Sequence, residues 1–266
     1  MYKEEQKTCV AHGVSTCSGC GLELTMRTVM NVMGDNTVVI IPPGCAALFS
    51  GFGKETAMRI PGFQGNLENT AAYASGVRTG LDSQGKQDVN VLAFAGDGAT
   101  VDIGLQSLSG MLERGERVIY VCYDNEAYMN TGGQRSGSTP LGAETTTTQQ
   151  GKCTPKKDML SIVAAHKIPY AASASVADIE DLKKKIEKAK AMNGPAYIHV
   201  HAPCPTGWGY DPSLTIEIAR KAVHSGLWEL FEVIDGEKIS KDVVINENAE
   251  DYFRMQKRYK KLGDKK

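Results

Sequence analysis

Four short apolar runs, "TVVII" (37–41), "VNVLAF" (89–94), "RVIYVCY" (117–123) and "AYIHVH" (196–201), are separated by segments with helical periodicity. Each run is nearly continuous in apolar residues, the pattern of a strand covered on both faces. Strands that alternate with helices are joined by crossovers, so their sheet is parallel. The predicted fold class is α/β: a doubly wound, mostly parallel sheet with helices on both faces. Helices are expected over "GLELTMRTVMNVMG" (21–34), "NLENTAAYASGVRTG" (66–80, with Asn66 as cap), "DIGLQSLSGMLERG" (102–115), "KKDMLSIVAAHK" (156–167) and "VADIEDLKKKIEKAKAMNG" (176–194). Their methionines read as core filling. No repeat or low-complexity linker divides the chain, so residues 1–266 are read as one domain.

In such sheets ligands bind outside the carboxyl ends of the strands, so the loop after each run is the place to look for chemistry. "PPGC", with Cys45, comes after the first run, and "AGDGAT" after the second. "DNEAYMNTGG" comes after the third and "APCPTG", with Cys204, after the fourth. Every chemically distinctive loop therefore falls at one edge of the sheet. In "GDG" the glycines let backbone approach a phosphate, but the Asp97 carboxylate repels a bare one. A divalent cation between them resolves the conflict, and magnesium takes oxygen ligands that it shares with phosphate. Asn125, one helix and one strand later, offers a second oxygen on the neighbouring strand.

Seven cysteines need a chemical account. The N-terminal "MYKEEQKTCVAHG" lacks the apolar core of a signal peptide, and no stretch has the apolar length of a membrane span. The expected compartment is the cytoplasm, where disulfides are rare. Lys+Arg 30 against Asp+Glu 31, a formal charge of -1, gives no case for nucleic acid or an anionic membrane surface. The basic "KRYKKLGDKK" at the C-terminus reads as a solvated tail. In "STCSGCGLEL" (15–24), Cys17 and Cys20 make half of a four-thiolate site, which Cys45 and Cys204 complete from separate strand ends. Zinc, an iron–sulfur cluster and a redox pair are all open on spacing. Zinc sites usually bring a second close pair, and a redox pair does not need Cys45 or Cys204. Cys122 is expected to be buried in its strand, while Cys9 and Cys153 have no evident partner. His199 and His201 share one face of a strand and read as packing residues.

The stretch "GDGATVDIGLQSLSGMLERGERVIYVCYDNEAYMN" resembles the thiamine diphosphate signature. Taken with "CSGCG", "PPGC", "NEAYMNTGGQRSGSTPLGAETTTT" and "APCPTGW", the chain resembles the thiamine-binding β subunit of the 2-oxoacid:ferredoxin oxidoreductases over most of its length. The resemblance implies a thiamine diphosphate-binding fold with Gly96, Asp97, Gly98 and Ala99 as the diphosphate turn. It implies magnesium on Asp97, the Asn125 side chain and the Ala127 carbonyl, within a second cofactor loop running from Asn125 to Asn130. Cys17, Cys20, Cys45 and Cys204 match the ligands of a [4Fe-4S] cluster, on loops 15–21, 42–48 and 202–207. Cys20 and Cys45 would also lie against the cofactor, and Asn130 and Cys45 take catalytic positions, Asn130 near substrate.

The implied activity is reversible oxidative decarboxylation of pyruvate to acetyl-CoA and CO2. Electrons would leave singly through the cluster to an external ferredoxin, with coenzyme A collecting the acyl group. Pyruvate is expected because "NTGGQ…STP" is most similar to the pyruvate-acting members; branched-chain 2-oxoacids, oxalate and aryl glyoxylates are the alternatives. Glu23, Glu55, Glu68 and Glu144 have no distinguishing context as the glutamate that thiamine enzymes place on the aminopyrimidine ring. The resemblance assigns that glutamate and a substrate arginine to an alpha subunit, accompanied by ferredoxin-like and gamma subunits or domains. Single-chain relatives carry a glutamate directly after CxxCG, where this chain has Leu22 and then Glu23. Two rivals remain. A cluster-free thiamine decarboxylase or transketolase half leaves the cysteines idle, and a zinc-stabilised binding module leaves GDG and Asn125 idle.

Overall fold

The computed structural model describes residues 8–50 and 56–263. Among them, eight strands form one sheet: β1 (Thr37–Ile41), β2 (Gly62–Gln64), β3 (Asn90–Gly96), β4 (Ile119–Asp124), β5 (Tyr170–Ser175), β6 (Ala196–His201), β7 (Phe231–Ile234) and β8 (Glu237–Ser240). The helices are α1 (Gly21–Met33), α2 (Ala47–Ser50), α3 (Thr70–Ser83), α4 (Leu105–Glu113), α5 (Met159–Ala164), α6 (Ile179–Ala191), α7 (Pro205–Trp208), α8 (Thr215–His224), α9 (Ala249–Arg254) and α10 (Lys260–Gly263). The strand order is β2-β1-β3-β4-β6-β5-β7-β8. The first six strands are parallel, and the β7–β8 hairpin closes the sheet antiparallel to β5.

The core lies on both faces of the sheet. Met26, Val29, Met30 and Met33 of α1 pack with Leu182 and Ile186 of α6 on one side. Leu108, Met111 and Leu112 of α4 and Val163 of α5 pack on the other, with Ala71 and Ala74 of α3. The methionines of α1, α4 and α5 are core residues, as expected.

β1 leads outward to β2, whereas β3 lies on the other side of β1 and leads to β4. The β1/β3 gap is thus a topological switch point, the crevice where such sheets bind ligands. Register fixes what faces it. Gly96 lies opposite Tyr123, and Asp124 opposite His201. The turn at Asp97, the loop at Asn125 and the loop at Cys204 therefore leave the sheet at one level.

Three local expectations need correction. Asn66 is not the cap of α3: the helix begins at Thr70, and Asn69 at its N-cap makes no side-chain cap bond. The helix expected from residue 102 begins at Leu105, behind a π-helical turn at Gly98–Asp102. The basic C-terminal segment is not a solvated tail as far as residue 259. Arg258 and Tyr259 are buried, Tyr259 in a third apolar cluster with Trp208, Tyr210, Ile218 and Tyr252. The lysines on either side give the segment the look of a charged tail, but Tyr259 needs an apolar seat and the guanidinium finds a carboxylate.

Candidate functional site

Asp97 follows β3 and is 1% exposed. Burial, then the neighbouring Asp124, pushes its carboxyl well above the ordinary range. The Ser136 hydroxyl opposes this by donating to Asp97 Oδ2 at 2.5 Å. The Asn125 amide oxygen faces Asp97 Oδ1 at 3.0 Å and the Ala127 carbonyl oxygen at 2.8 Å. Oxygens packed this closely repel unless a cation sits among them or the amide turns over to donate to both neighbours. The edge of an octahedral magnesium shell, with oxygens at 2.0–2.1 Å, is about 2.9 Å. The donor set, its spacing and the buried carboxylate all fit a divalent cation.

Beside these oxygens lies a pocket of about 130 Å³ lined by Gly44, Cys45, Gly96–Ala99, Tyr123, Met129 and Asn130. Gly98 has a role that the sequence did not suggest. A Cβ there would sit 2.4 Å from the Tyr128 ring, whose hydroxyl donates to the Gly98 carbonyl at 3.0 Å. Tyr123 ties the pocket's two walls, its hydroxyl accepting the Ala46 N–H at 3.2 Å.

Placing the Asn125 and Ala127 oxygens on one side requires an abrupt turn, and Glu126 takes it with φ +65°. For a residue other than glycine this costs about 1–2 kcal/mol and needs external support. Support comes from all sides. Asp124 Oδ1 accepts the Glu126 N–H at 2.9 Å, and Thr139 Oγ1 donates to the Glu126 carbonyl at 2.6 Å. The Glu126 carboxylate lies 3.0 Å from Lys156 Nζ and 2.7 Å from Arg258 Nη2. The contact with Arg258 is an ion pair without the alignment of a hydrogen bond.

Behind the loop, Lys156 Nζ also meets Asp124 Oδ2 at 2.6 Å, and His199 Nε2 meets the same oxygen at 2.7 Å. His199 Nδ1 lies 2.6 Å from the Tyr197 hydroxyl, so one tautomer donates to Asp124 and accepts from Tyr197. Burial pushes the Asp124 carboxyl up, but Lys156 and His199 outweigh it and hold it below its usual range. His201 is a packing residue, as expected, and stacks on Trp228 at 4.6 Å, whereas His199 both stacks on Trp228 and links Tyr197 to Asp124, a role beyond the expected packing.

Burial pushes the His201 imidazole down to about 4 from 6.5, against the pull of Glu126. Between those values the unfolded chain binds a proton that the folded chain does not. Stability should therefore fall as pH drops from about 6.5 to about 4, by roughly 3 kcal/mol from this group. Urea midpoints measured across that window should show the slope in the parent and a flatter line in His201→Phe, which keeps the stacking. Equal slopes would refute the assignment.

The cysteines lie at the same edge. Cys17, Cys45 and Cys204 line a cleft of about 770 Å³ that also reaches Asn130, Trp208 and Arg258. Cys20 caps α1 next to Gly21, whose N–H donates to the Pro203 carbonyl at 3.2 Å. Gly19 lets this loop pass: its φ is +67°, and a Cβ would lie 2.2 Å from the Pro212 carbonyl oxygen. Cys204 Sγ accepts the Gly207 N–H at 3.3 Å. Burial, then the Cys204 thiol, pushes Cys20 up to about 11 and Cys45 up to about 12 in the same sense. For Cys20 the Glu23 backbone N–H opposes the rise. Among the described residues, no three His, Cys, Asp or Glu side chains converge tightly enough to grip a single metal ion. The remaining thiols stand apart: Cys122 is buried in β4, Cys153 is exposed, and Cys9 packs partly against the core.

Glu23 is occupied on α1 by Arg27 at 2.8 Å and by the Thr16 hydroxyl. Glu144 pairs with Lys261 at 3.4 Å at the cleft wall, Glu68 accepts from Asn69 at 3.4 Å, and Glu55 lies outside the described residues. Ser136, Thr139, Glu126, Lys156, Trp208 and Arg258 have supporting roles that sequence reasoning did not assign. For the first two the signal was present in "QRSGSTP", a hydroxyl-rich turn too elaborate for a plain connection.

Residues 42–200 match the family described as thiamine pyrophosphate enzyme, C-terminal TPP binding domain. The pyruvate synthase subunit PorB of Methanothermobacter thermautotrophicus is 50% identical over 261 residues, covering 96% of this chain and 91% of the relative. The ketoisovalerate oxidoreductase subunit VorB of Pyrococcus abyssi is 44% identical over 261 residues, covering 93% and 84%. A solved 2-oxoglutarate:ferredoxin oxidoreductase from Magnetococcus marinus has the same fold, with TM-score 0.67 at 20% identity over 82% of this chain and 81% of that one.

The fold and its edge loops thus define a thiamine diphosphate-binding domain of the thiamine pyrophosphate enzymes. Within that class the chain belongs to the PorB/VorB family, the thiamine-dependent subunits of the multi-subunit 2-oxoacid:ferredoxin oxidoreductases.

Proposed function

We propose that this chain is the cofactor-binding β subunit of a pyruvate:ferredoxin oxidoreductase, converting pyruvate and coenzyme A reversibly to acetyl-CoA and CO2. The observation that carries the reading is the meeting of the Asp97 carboxylate, the Asn125 side-chain amide and the Ala127 carbonyl at the β1/β3 switch point. Pyruvate is favoured over a branched-chain acid by the higher identity to the PorB relative, 50% against 44%.

Asp97, Asn125 and the Ala127 carbonyl would hold magnesium, and Gly96–Ala99 would carry the diphosphate. Bound thiamine diphosphate supplies the nucleophilic carbon and electron sink that decarboxylation of a 2-oxoacid requires. The chain's own residues bind and shelter. Leu67, Tyr123 and Met129 give the small pocket apolar walls that keep water from the reacting centre. Asn130, at the junction of pocket and cleft, offers an amide to orient the substrate. Cys17, Cys20, Cys45 and Cys204 would hold the [4Fe-4S] cluster. Cys17, Cys45 and Cys204 disposed around a cleft, with Cys20 on the adjoining loop, suit a several-cornered inorganic core better than one ion, and the raised protonation range of Cys20, Cys45 and Cys204 means that iron displaces their protons on binding.

Among the described residues, no glutamate lines the small pocket. An alpha subunit would supply the pyrimidine-side carboxylate and a substrate arginine, with ferredoxin-like and gamma subunits carrying electrons onward to external ferredoxin. The whole chain serves as one cofactor-binding domain. No helix among the described residues is long and apolar enough to cross a membrane, and the proposed setting is the cytoplasm.

The substrate assignment is tested on the complex purified without oxygen, supplied with coenzyme A, a low-potential dye and a panel of 2-oxoacids. Pyruvate should give the highest kcat/KM, about tenfold or more above 2-oxoisovalerate, the scale on which a pocket separates side chains differing by methyl groups. A preference of that size for the branched acid would overturn it.

A further inference from the structure

The cation loop is held from behind by a part of the chain beyond the thiamine-domain match at 42–200. Trp208 Nε1 donates to the Asn125 carbonyl at 2.8 Å. Arg258 lies over the Trp208 ring, 3.7 Å from its centroid, with Nη2 2.7 Å from Glu126 Oε2. Its other contacts fix the guanidinium in that pose. Nε donates to Gln256 Oε1 at 2.8 Å, and Nη2 lies 3.3 Å from the Tyr252 hydroxyl. Arg258 is 6% exposed and Glu126 is 4% exposed, so water screens the pair little. Glu126 is the residue in left-handed conformation between the two cation ligands, and its carboxylate gives the C-terminal segment a hold on that turn.

We propose that Arg258 is a positioning residue for the cation site: through Glu126 it keeps the Asn125 and Ala127 oxygens aimed at Asp97. The C-terminal segment thereby sets the affinity for magnesium and thiamine diphosphate. This rests on the reading of those three oxygens as a cation site. Lysine is a poor substitute, because the role uses the flat guanidinium on Trp208 as well as the charge toward Glu126.

The test uses the complete multi-subunit enzyme stripped of magnesium and thiamine diphosphate. Magnesium-dependent thiamine diphosphate binding is followed by tryptophan fluorescence, with melting temperature read on the cofactor-free protein. Arg258→Met should raise the magnesium concentration for half-saturation roughly 10–100-fold, the scale for losing a partner behind a metal ligand. Glu126→Gln should act in the same direction. The double variant should be no worse than the weaker-binding single, since each single already removes the Arg258–Glu126 pair and Glu126→Gln loses the Lys156 pair as well. Arg258→Lys should fall between Arg258→Met and parent, and it supplies the readout with Glu126→Gln should Arg258→Met fail to assemble. A folded Arg258 variant within about twofold of parent, or a double variant equal to the product of the singles, would overturn the proposal. Asp97→Ala separates the two levels: parental magnesium dependence in that variant would mean that the cation reading itself is wrong.

Discussion

Asp97→Asn is expected to abolish magnesium-dependent binding of thiamine diphosphate while leaving the cofactor-free protein at least as stable as the parent. The two effects have opposite signs for one reason. Asp97 is buried beside Asp124, and burial followed by that like charge raises its carboxyl far above the ordinary range. Without a cation its ionised form is a liability to the fold, relieved in part by the Ser136 hydroxyl, by Lys156 and by its own backbone N–H. Asparagine keeps the shape and an oxygen toward Ser136 but removes the charge that a buried cation requires. Loss of binding should exceed about 100-fold, the upper end of the cost of removing a partner that only supports a ligand. Calorimetric titration of magnesium and thiamine diphosphate, with thermal melts of the unloaded enzyme, reads both effects. Tight binding by the variant, or a large fall in its unloaded melting temperature, would contradict the account.

The second large effect concerns the thiols. Cys45→Ser and Cys204→Ser should each remove about four iron atoms per copy of the chain, with visible absorption falling in proportion. Cys122→Ala and Cys153→Ala should keep the full iron content. The contrast is positional. Cys45 and Cys204 line the cleft shared with Cys17, while Cys122 points into the core within β4 and Cys153 is exposed elsewhere. Iron and sulfide analysis of anaerobically prepared enzyme decides the matter. Equal iron in all four variants would exclude the proposed ligand set, and zinc in place of iron would favour a structural metal.

The strands that carry the site were legible because each is a buried, β-branched run: β1 and β6 fall on the predicted residues, and β3 and β4 lie one or two residues further along the chain. β5 was silent because "YAASAS" is small residues after Tyr170, buried along its whole length without a β-branched side chain. The proposed cation ligands could be picked out from GDG and the later asparagine because their chemistry is local to two strand ends. The apparatus behind them could not. Glu126, Lys156 and Arg258 are charges whose partners lie far away in sequence, and a charge with an unseen partner reads as a solvated one. Arg258 is the clearest case, a buried arginine between lysines in what reads as a basic tail. Gly98 was legible as a necessary glycine for a different reason, since it makes room for Tyr128.

The central claim is that the oxygens of Asp97, Asn125 and Ala127 grip the cation on a diphosphate. Manganese, which accepts the same octahedral oxygen shell, makes this visible by electron paramagnetic resonance as a phosphorus hyperfine coupling on the bound ion. The account predicts that the stripped enzyme given manganese and thiamine diphosphate shows this coupling and that Asp97→Ala loses it. An undiminished phosphorus-coupled signal in Asp97→Ala would contradict the account.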